Sequence, residues 1–267
     1  MTTIVLLLIA IGVVPLIVGI VRLRRDPAAI DRRAIAASTI LAALAFNLTF
    51  FWQEIWLVLP KAMTPGLHPI LYHNDHDWTG TAPIVELLQG TGAISTLVSG
   101  IAFLFIARRA TRPTARLFAW WMAFEGFFQS ASQFAIGALI PGNDVGRALT
   151  WLGMSNASRG MLLPIVGILM AKASQALVRI DRPAILLPAA LSILLIIPFR
   201  VPRDPIEVVL IPIVVHLIGT GWVMLGASFT PVKAPPVQGR PALALPFAAL
   251  LAILLVFQCI LRPGIAF

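Results

Sequence analysis

A short polar segment between two apolar stretches holds the residues best suited to chemistry. It runs from His68 to Gly80 (HPILYHNDHDWTG) and contains three of the chain's four histidines. His73 and His76 lie three residues apart with Asp77 beside them, and these side chains offer the nitrogen and oxygen donors that divalent metals take. The segment therefore predicts a divalent metal site, with zinc as the first choice.

Two other interpretations of the same segment stay open. Asn74, Asp75 and Asp77 could bind calcium through oxygen atoms, although no complete calcium-loop signature follows them. Alternatively, Asn and Asp side chains bond to their own backbone in tight turns, and this role needs no ligand.

Five ionisable residues fall inside the apolar stretches of the chain. Such groups cost at least about 2.5 kcal/mol in a bilayer, so they face a partner or a water-filled cavity. Glu54 and Glu86 are the candidate general bases, Arg159 is a candidate anchor for an anionic head group, and His216 is a further candidate metal ligand. The fifth is Glu125. A purely structural network of ion pairs between helices is the competing interpretation.

Polar residues without charge accompany these groups at helical spacing. Gln89 follows Glu86 by three residues, Gln129 follows Glu125 by four, and Asn156 precedes Arg159 by three. Residues three or four apart share one face of a helix. Gln89, Gln129 and Asn156 are therefore predicted to bind substrate together with Arg159.

The elements that position these residues are predicted to be transmembrane helices. Of the 267 residues, 59% are hydrophobic and only 12% are charged, whereas about a quarter of residues are charged in soluble domains. Apolar runs near the roughly 20 residues of a membrane span recur along the chain, and they lack the strict alternation of a membrane barrel. The fold class is therefore all-α, a bundle of about eight spans at 3–21, 34–59, 83–107, 117–140, 147–171, 184–199, 206–227 and 242–262.

The basic residues indicate the orientation of this bundle. The net charge of +9 could suggest nucleic acid, but alternate connections collect fourteen of the twenty Lys and Arg residues on one side. By the positive-inside rule that side is cytoplasmic, so both termini and the histidine segment lie outside. The fourteen are Arg22, Arg24, Arg25, Arg32, Arg33, Arg108, Arg109, Arg112, Arg116, Lys172, Arg179, Arg182, Lys233 and Arg240.

The predicted protein is thus one transmembrane domain, residues 1–267, in a bacterial-type inner membrane or plasma membrane, with a structured outer loop at 60–83. It contacts membrane lipids and no nucleic acid. We expect a metal-dependent hydrolase that acts on a lipid-like or other small-molecule substrate from the outer face. The alternatives are a proton-coupled transporter that uses Glu54, Glu86 and Glu125, and a non-catalytic membrane partner protein.

Overall fold

The structure, a computed structural model, describes residues 2–23, 31–181, 185–235 and 237–267. The basic residues Arg24, Arg25 and Arg182 of the predicted topology lie outside these ranges. The chain is mostly helical. Among the described residues, five helical segments are long and apolar enough to cross a membrane, namely Arg32–Ala62, Val85–Arg109, Asn156–Val178, Glu207–Ala227 and Ala244–Leu261.

The helices follow the apolar runs of the sequence. Asp31 begins one of them by accepting hydrogen bonds from the Arg33 and Ala34 amides, and Pro113 begins another at its first turn, where proline is favoured. The helices are α1 (Thr2–Leu23), α2 (Arg32–Ala62), α3 (Val85–Leu88), α4 (Thr91–Arg109), α5 (Pro113–Leu139), α6 (Asp144–Trp151), α7 (Asn156–Gly160), α8 (Leu162–Val178), α9 (Leu186–Arg200), α10 (Pro205–Ala227) and α11 (Ala244–Val256), which continues as a π-helical turn at Phe257–Leu261.

One predicted span, 147–171, differs from the structure. In its place stand the short helix α6, a turn, and then α7 and α8, which extends to Val178. Gly153 takes a φ of +69° just after α6, a conformation that ends a helix. Ser155 then starts α7 by accepting a hydrogen bond from the Ser158 amide.

The predicted outer loop contains a small antiparallel sheet rather than turns alone. Strands β1 (Leu67–Leu71) and β2 (His76–Gly80) form a hairpin, and β3 (Ile265–Ala266) pairs with the other edge of β1. The sheet is thus a correction to a strictly all-α fold. Leu67 and Leu71 are buried, and β1 contacts α2, so the hairpin covers the end of that helix.

Helix α2 lies at the centre of the bundle, in contact with α4, α5, α9 and α11. The end of the bundle that carries the hairpin is called the sheet end below. At the opposite end, the connection between α10 and α11 crosses the first turn of α5, where the Ala242 amide donates to Thr114.

Candidate functional site

Three predicted residues meet where the hairpin covers α2. His76, from β2, directs Nδ1 at Glu54 Oε2 (2.8 Å) and Nε2 at Gln89 Oε1 (3.1 Å). Glu54 and Gln89 are buried, and the His76 side chain is only 8% exposed. This sheet-end cluster combines one of the predicted bases, one predicted ligand and one predicted substrate-binding residue.

The sheet-end cluster favours the charged form of His76. Burial alone would lower the pKa of His76, but the hydrogen bond and negative charge of Glu54 outweigh burial and raise it. In the imidazolium form both ring nitrogens donate, one to a carboxylate and one to an amide oxygen. The cluster is therefore an ion pair held in place by a neutral amide.

Trp78 connects this cluster to its neighbours. Its ring stacks on His76 with centroids 6.0 Å apart, and Lys61 Nζ and the Arg147 guanidinium each lie 5.0 Å from its centroid. The Lys61 ammonium is fully buried and donates to the Leu57 carbonyl at 2.6 Å. One indole thus contacts three groups that carry positive charge.

Glu86, the second predicted base, lies outside the sheet-end cluster. It forms a two-bond ion pair with Arg147, at 2.6 and 2.8 Å, and its side chain is 40% exposed. Such an exposed pair contributes little to stability, about 1 kcal/mol or less. The Glu86–Arg147 pair connects α3 to α6.

A second cluster lies deep in the bundle and joins side chains from three helices, α5, α9 and α10. His216 of α10 directs Nε2 at Glu125 Oε1 of α5 (2.7 Å) and Nδ1 at Ser192 Oγ of α9 (3.2 Å). Gln129 donates to the other oxygen of Glu125 at 3.1 Å. Glu125, His216 and Ser192 are all completely buried, and this set is called the core cluster below.

The hydrogen bonds of the core cluster give its buried polar groups partners. The Ser192 hydroxyl donates to the Ala189 carbonyl at 2.8 Å and lies 3.2 Å from His216 Nδ1, while His216 Nε2 lies 2.7 Å from Glu125. Polar and ionisable groups are tolerated in an apolar core when they are paired in this way.

Aromatic rings enclose the core cluster and separate it from the sheet-end cluster. The Phe46, Trp121 and Phe124 rings lie 5.5 to 6.3 Å from the His216 ring. Phe46 stacks on Phe50 of the same helix at 5.9 Å, and Glu54 follows at the same spacing of four residues. At ~1.5 Å per residue, Phe46 and Glu54 differ in depth by about 12 Å.

A row of glutamines on α5 runs alongside this aromatic face. Gln129 donates to the Phe46 carbonyl at 3.4 Å as well as to Glu125. One turn further, Gln133 donates to Gln53 of α2, the residue that precedes Glu54. Polar side chains therefore continue along the α2–α5 interface from the core cluster towards the sheet end.

The four predicted metal ligands do not converge. His216 belongs to the core cluster, and His76 and Asp77 point to opposite faces of β2 because successive strand residues alternate; Asp77 is exposed. In the described parts of the chain, no group of three or more His, Cys, Asp or Glu side chains is placed to hold a metal.

His73 is buried against the Phe257 ring, with centroids 5.6 Å apart. Neither ring nitrogen has a hydrogen-bond partner among the described residues. Burial is the main cause that lowers the pKa of His73. Arg200, Arg203 and Arg262 lower it further, and the Phe199 carbonyl opposes the fall without meeting hydrogen-bond geometry. His73 is thus held neutral in a positively charged surrounding.

Arg159 and Asn156 lie apart from the acidic residues they were expected to accompany. Arg159 is buried at the start of the α7–α8 segment and donates to the Met154 carbonyl (3.2 Å) and to Thr150 Oγ1 (2.6 Å). Asn156 is exposed. Because Gly153 interrupts the predicted span, Arg159 braces the turn before α8 instead of reaching the middle of the bundle.

Sequence reasoning missed Ser192 and the burial of Lys61 and Arg200. Ser192 lies in a span that otherwise offers no polar partner, and its position as the lone polar residue there was the available signal. Arg200 is 2% exposed, lies 4.5 Å above the Phe50 ring and donates to the Glu207 carbonyl. Nothing in the spacing of Lys61 or Arg200 distinguishes them from ordinary residues at helix ends.

No protein-family model, curated protein or solved structure matches this chain. Two buried glutamate–histidine pairs, Glu54 with His76 and Glu125 with His216, are the features of the structure that bear most on function.

Proposed function

We propose that this chain is a multi-pass membrane carrier that binds protons and couples their movement to transport. The observation that carries the proposal is the wholly buried pair of Glu125 and His216, 2.7 Å apart. A charged or protonatable pair is costly in an apolar core. Transporters commonly keep such a buried pair because it takes part in proton transfer.

The sheet-end cluster supports a path for protons. Glu54 and His76 form a second acid–histidine pair, nearer the bundle surface, and the glutamines at the α2–α5 interface lie between the two pairs. A proton that reaches Glu54 from the sheet end would have polar neighbours on the way to Glu125. The aromatic face of Phe46 and Phe50 limits that path to a narrow seam.

The orientation belongs to the same proposal. We place eight crossings in a bacterial-type inner membrane or plasma membrane, with both termini and the sheet end outside and the basic connections in the cytoplasm, near lipid head groups. The charge distribution of the sequence supports this placement. So does the meeting of β1, β2 and the C-terminal strand β3 at one end of the bundle.

Sided thiol labelling tests the carrier directly. In a Cys259→Ala background, Ser192→Cys places a thiol beside His216. A carrier must expose this position to each side in turn, so a membrane-impermeant reagent should react from either face of sealed vesicles, with rates that depend on pH. Ser174→Cys, equally buried on α8, should stay unreactive, and Met63→Cys, 78% exposed, reports labelling competence.

The outcomes separate the alternatives. Reaction of Ser192→Cys from one face only would favour an enzyme with a single open site. No reaction under any condition would identify the core cluster as a static structural network, and the proposal would then be wrong.

The metal-dependent hydrolase is the second candidate, and one observation favours it. Both ring nitrogens of His73 lack hydrogen-bond partners among the described residues, so a neutral His73 has a nitrogen lone pair that could coordinate a metal. Purified protein with a stoichiometric transition metal, lost on His73→Ala but kept on the exposed His68→Ala, would support this candidate. Equal metal content in the two variants would count against it.

A further inference from the structure

An exposed apolar stripe runs along α4, on the side that faces away from α5. Ile94, Val98, Ile101 and Phe105 follow one another at steps of four and three residues, and each is 43% to 59% exposed. Residues at this spacing share one face of a helix. The next step along the face is Arg108, in the last turn of α4. In a bilayer, the stripe therefore contacts acyl chains and ends at a cation.

Three arginines crowd the short connection between α4 and α5. Arg108 and Arg109 end α4, Arg112 precedes the first residue of α5, and all three are exposed. The Arg108 guanidinium lies 5.7 Å from the centroid of the Phe105 ring, so it stays beside the apolar stripe. These three residues are called the α4–α5 arginine cluster below.

The positive charge of the α4–α5 arginine cluster is not met by the protein. Within the described ranges, none of its guanidinium groups forms an ion pair or a side-chain hydrogen bond. Other arginines at this end of the bundle differ in that respect. Arg240 lies 3.8 Å from Asp31, and Arg116 is buried and donates to two backbone carbonyls. The cluster is thus left to find its counter-charge outside the chain.

We propose that the α4–α5 arginine cluster binds the phosphate of an anionic phospholipid, with an acyl chain of that lipid lying along the α4 stripe. Arginine forms strong, charge-assisted hydrogen bonds with phosphate oxygens, and basic residues next to a membrane helix attract anionic lipids.

The dimensions of the stripe fit one leaflet of a bilayer. Half of the hydrocarbon core is ~15 Å thick, which corresponds to about ten residues of helix at ~1.5 Å each, the distance from Val98 to Arg108. A zwitterionic lipid would bring a cation of its own towards the arginines. A soluble phosphate would leave the apolar stripe without a matching partner, so a lipid is the ligand that uses both features.

Quenching by brominated lipid tests the site. Full-length Cys259→Ala protein carries a fluorophore at Ile101→Cys, within the stripe, in phosphatidylcholine vesicles. A small fraction of the lipid is brominated, either as phosphatidylglycerol or as phosphatidylcholine with the same chains. The anionic lipid should quench about fivefold more effectively, because the arginines concentrate it beside the stripe. Glycerol phosphate in the buffer should not relieve the quenching.

Two variants with equal loss of charge make the test specific. The first removes the cluster with Arg108→Gln, Arg109→Gln and Arg112→Gln, and it should abolish the preference for the anionic lipid. The second removes three arginines near Asp31 at the same end of the bundle, with Arg32→Gln, Arg33→Gln and Arg240→Gln. The second variant should keep the preference.

A second labelling position decides the matter if the cluster variant does not assemble. Leu251→Cys lies on α11, is 45% exposed and follows the first residue of that helix by seven, so its distance from the helix end is close to that of Ile101. All arginines are kept in this protein. The two brominated lipids should quench at Leu251 about equally, because the nearby Arg240 is paired with Asp31.

Four results would overturn the proposal. They are equal quenching of Ile101 by the two lipids, an equal preference at Leu251, the same loss of preference in both triple variants, and relief of quenching by glycerol phosphate, which would assign the arginines to a soluble anion. None of these measurements depends on proton binding, so failure here leaves the proposed function standing.

Discussion

Glu125 and His216 are hydrogen-bonded to each other, and within the described residues neither forms an ion pair with any other group. Gln129 donates to the Phe46 carbonyl as well as to Glu125, and the Ser192 hydroxyl donates to the Ala189 carbonyl. At the scale of single residues, each member of the pair therefore needs the other in order to stay buried.

Removing one member of the pair should cost more than removing both. Glu125→Leu leaves a buried imidazole nitrogen without its acceptor, and we expect a loss of about 3 kcal/mol. The double variant Glu125→Leu with His216→Leu removes both ionisable groups, while Gln129 and Ser192 keep their bonds to the Phe46 and Ala189 carbonyls, so it should recover most of that loss. Unfolding in detergent would measure the coupling energy, which should exceed the ~0.6 kcal/mol average found between membrane helices.

Additive costs for the two single variants would contradict the pairing. Glu86→Leu with Arg147→Leu is the matched comparison, because that pair is partly exposed and its coupling should be at most about 1 kcal/mol.

The two hairpin histidines should give stability opposite dependences on pH. The pKa of His76 is raised above about 6.5, so its contribution is complete below that pH and is lost as the pH rises through the folded value. The pKa of His73 is lowered by burial first and by Arg200 next. Its contribution is complete above pH ~6.5 and is lost as the pH falls towards the folded value.

Melting temperatures across this pH range would separate the two effects. Glu54→Gln should remove the alkaline loss, and His73→Phe should remove the acid loss. His68→Gln changes an exposed residue of β1 and should leave both losses in place. If the pH dependence of the melting temperature is the same in Glu54→Gln as in the parent protein, His76 does not form the hydrogen bond with Glu54 that the structure shows.

At the scale of residues, the sequence singled out Glu54, Gln89 and His76 separately, and the structure brings the three side chains together under the hairpin. The sequence could not predict that Glu125 would find His216. That contact joins residues 91 positions apart, and it depends on how α5 and α10 cross. Arg159 lies near the start of its helical segment, Asn156–Val178, because Gly153 ends the apolar run that hydropathy alone treats as continuous from 147 to 171.

At the scale of elements, α4 and α5 approach each other at two glycines. A side chain at Gly126 would come within 2.5 Å of the Gly100 Cα, and small residues permit this distance between membrane helices. Gly126→Ala should therefore destabilise the protein by about 1–3 kcal/mol in unfolding experiments.

Gly167→Ala provides the control for this substitution. Gly167 lies inside α8, and an added Cβ would meet nothing within 4 Å. Alanine is the better helix former by about 1 kcal/mol, so this variant should be neutral or more stable. Equal effects of the two substitutions would show that the α4–α5 contact is looser than described.

The hairpin depends on the last residues of the chain. Ile265 and Ala266 pair with Leu71 and Ile70, and the Phe267 amide donates to the Pro69 carbonyl at 3.0 Å. Deleting residues 265–267 should raise amide exchange in β1 and β2 by about tenfold, equivalent to ~1.4 kcal/mol. Exchange in α4, which the deletion does not touch, should stay constant, and an unchanged hairpin would rule out this anchoring role.

The helices were predictable because apolar runs near membrane length leave the backbone no other way to form hydrogen bonds. The sheet was not. Pro69 and the turn residues at 73–75 obscure the alternation of apolar and polar residues in the hairpin. Strand β3 is only two residues long, and nothing in the local sequence indicates that it pairs with β1, nearly 200 positions earlier.

At the scale of the whole molecule, the proposed eight crossings assign every connection to a side. In the Cys259→Ala background, Met63→Cys at the sheet end should react with an impermeant thiol reagent added outside intact cells. Lys233→Cys, in the basic connection after α10, should react only in inverted vesicles. The reverse pattern would mean that the bundle has the opposite orientation. Labelling of both residues from one side would mean that the number of crossings between them is even and that the eight-crossing topology is wrong.

The central claim is that a proton enters and leaves the buried pair of Glu125 and His216. Infrared difference spectra recorded between acid and alkaline pH test this most directly, because protonated and ionised carboxyl groups absorb at distinct frequencies. We predict a pH-dependent carboxyl signal that disappears in Glu125→Gln and persists in Glu86→Gln. A spectrum in which Glu125→Gln removes no carboxyl signal, across the pH range over which the protein stays folded, would contradict the claim.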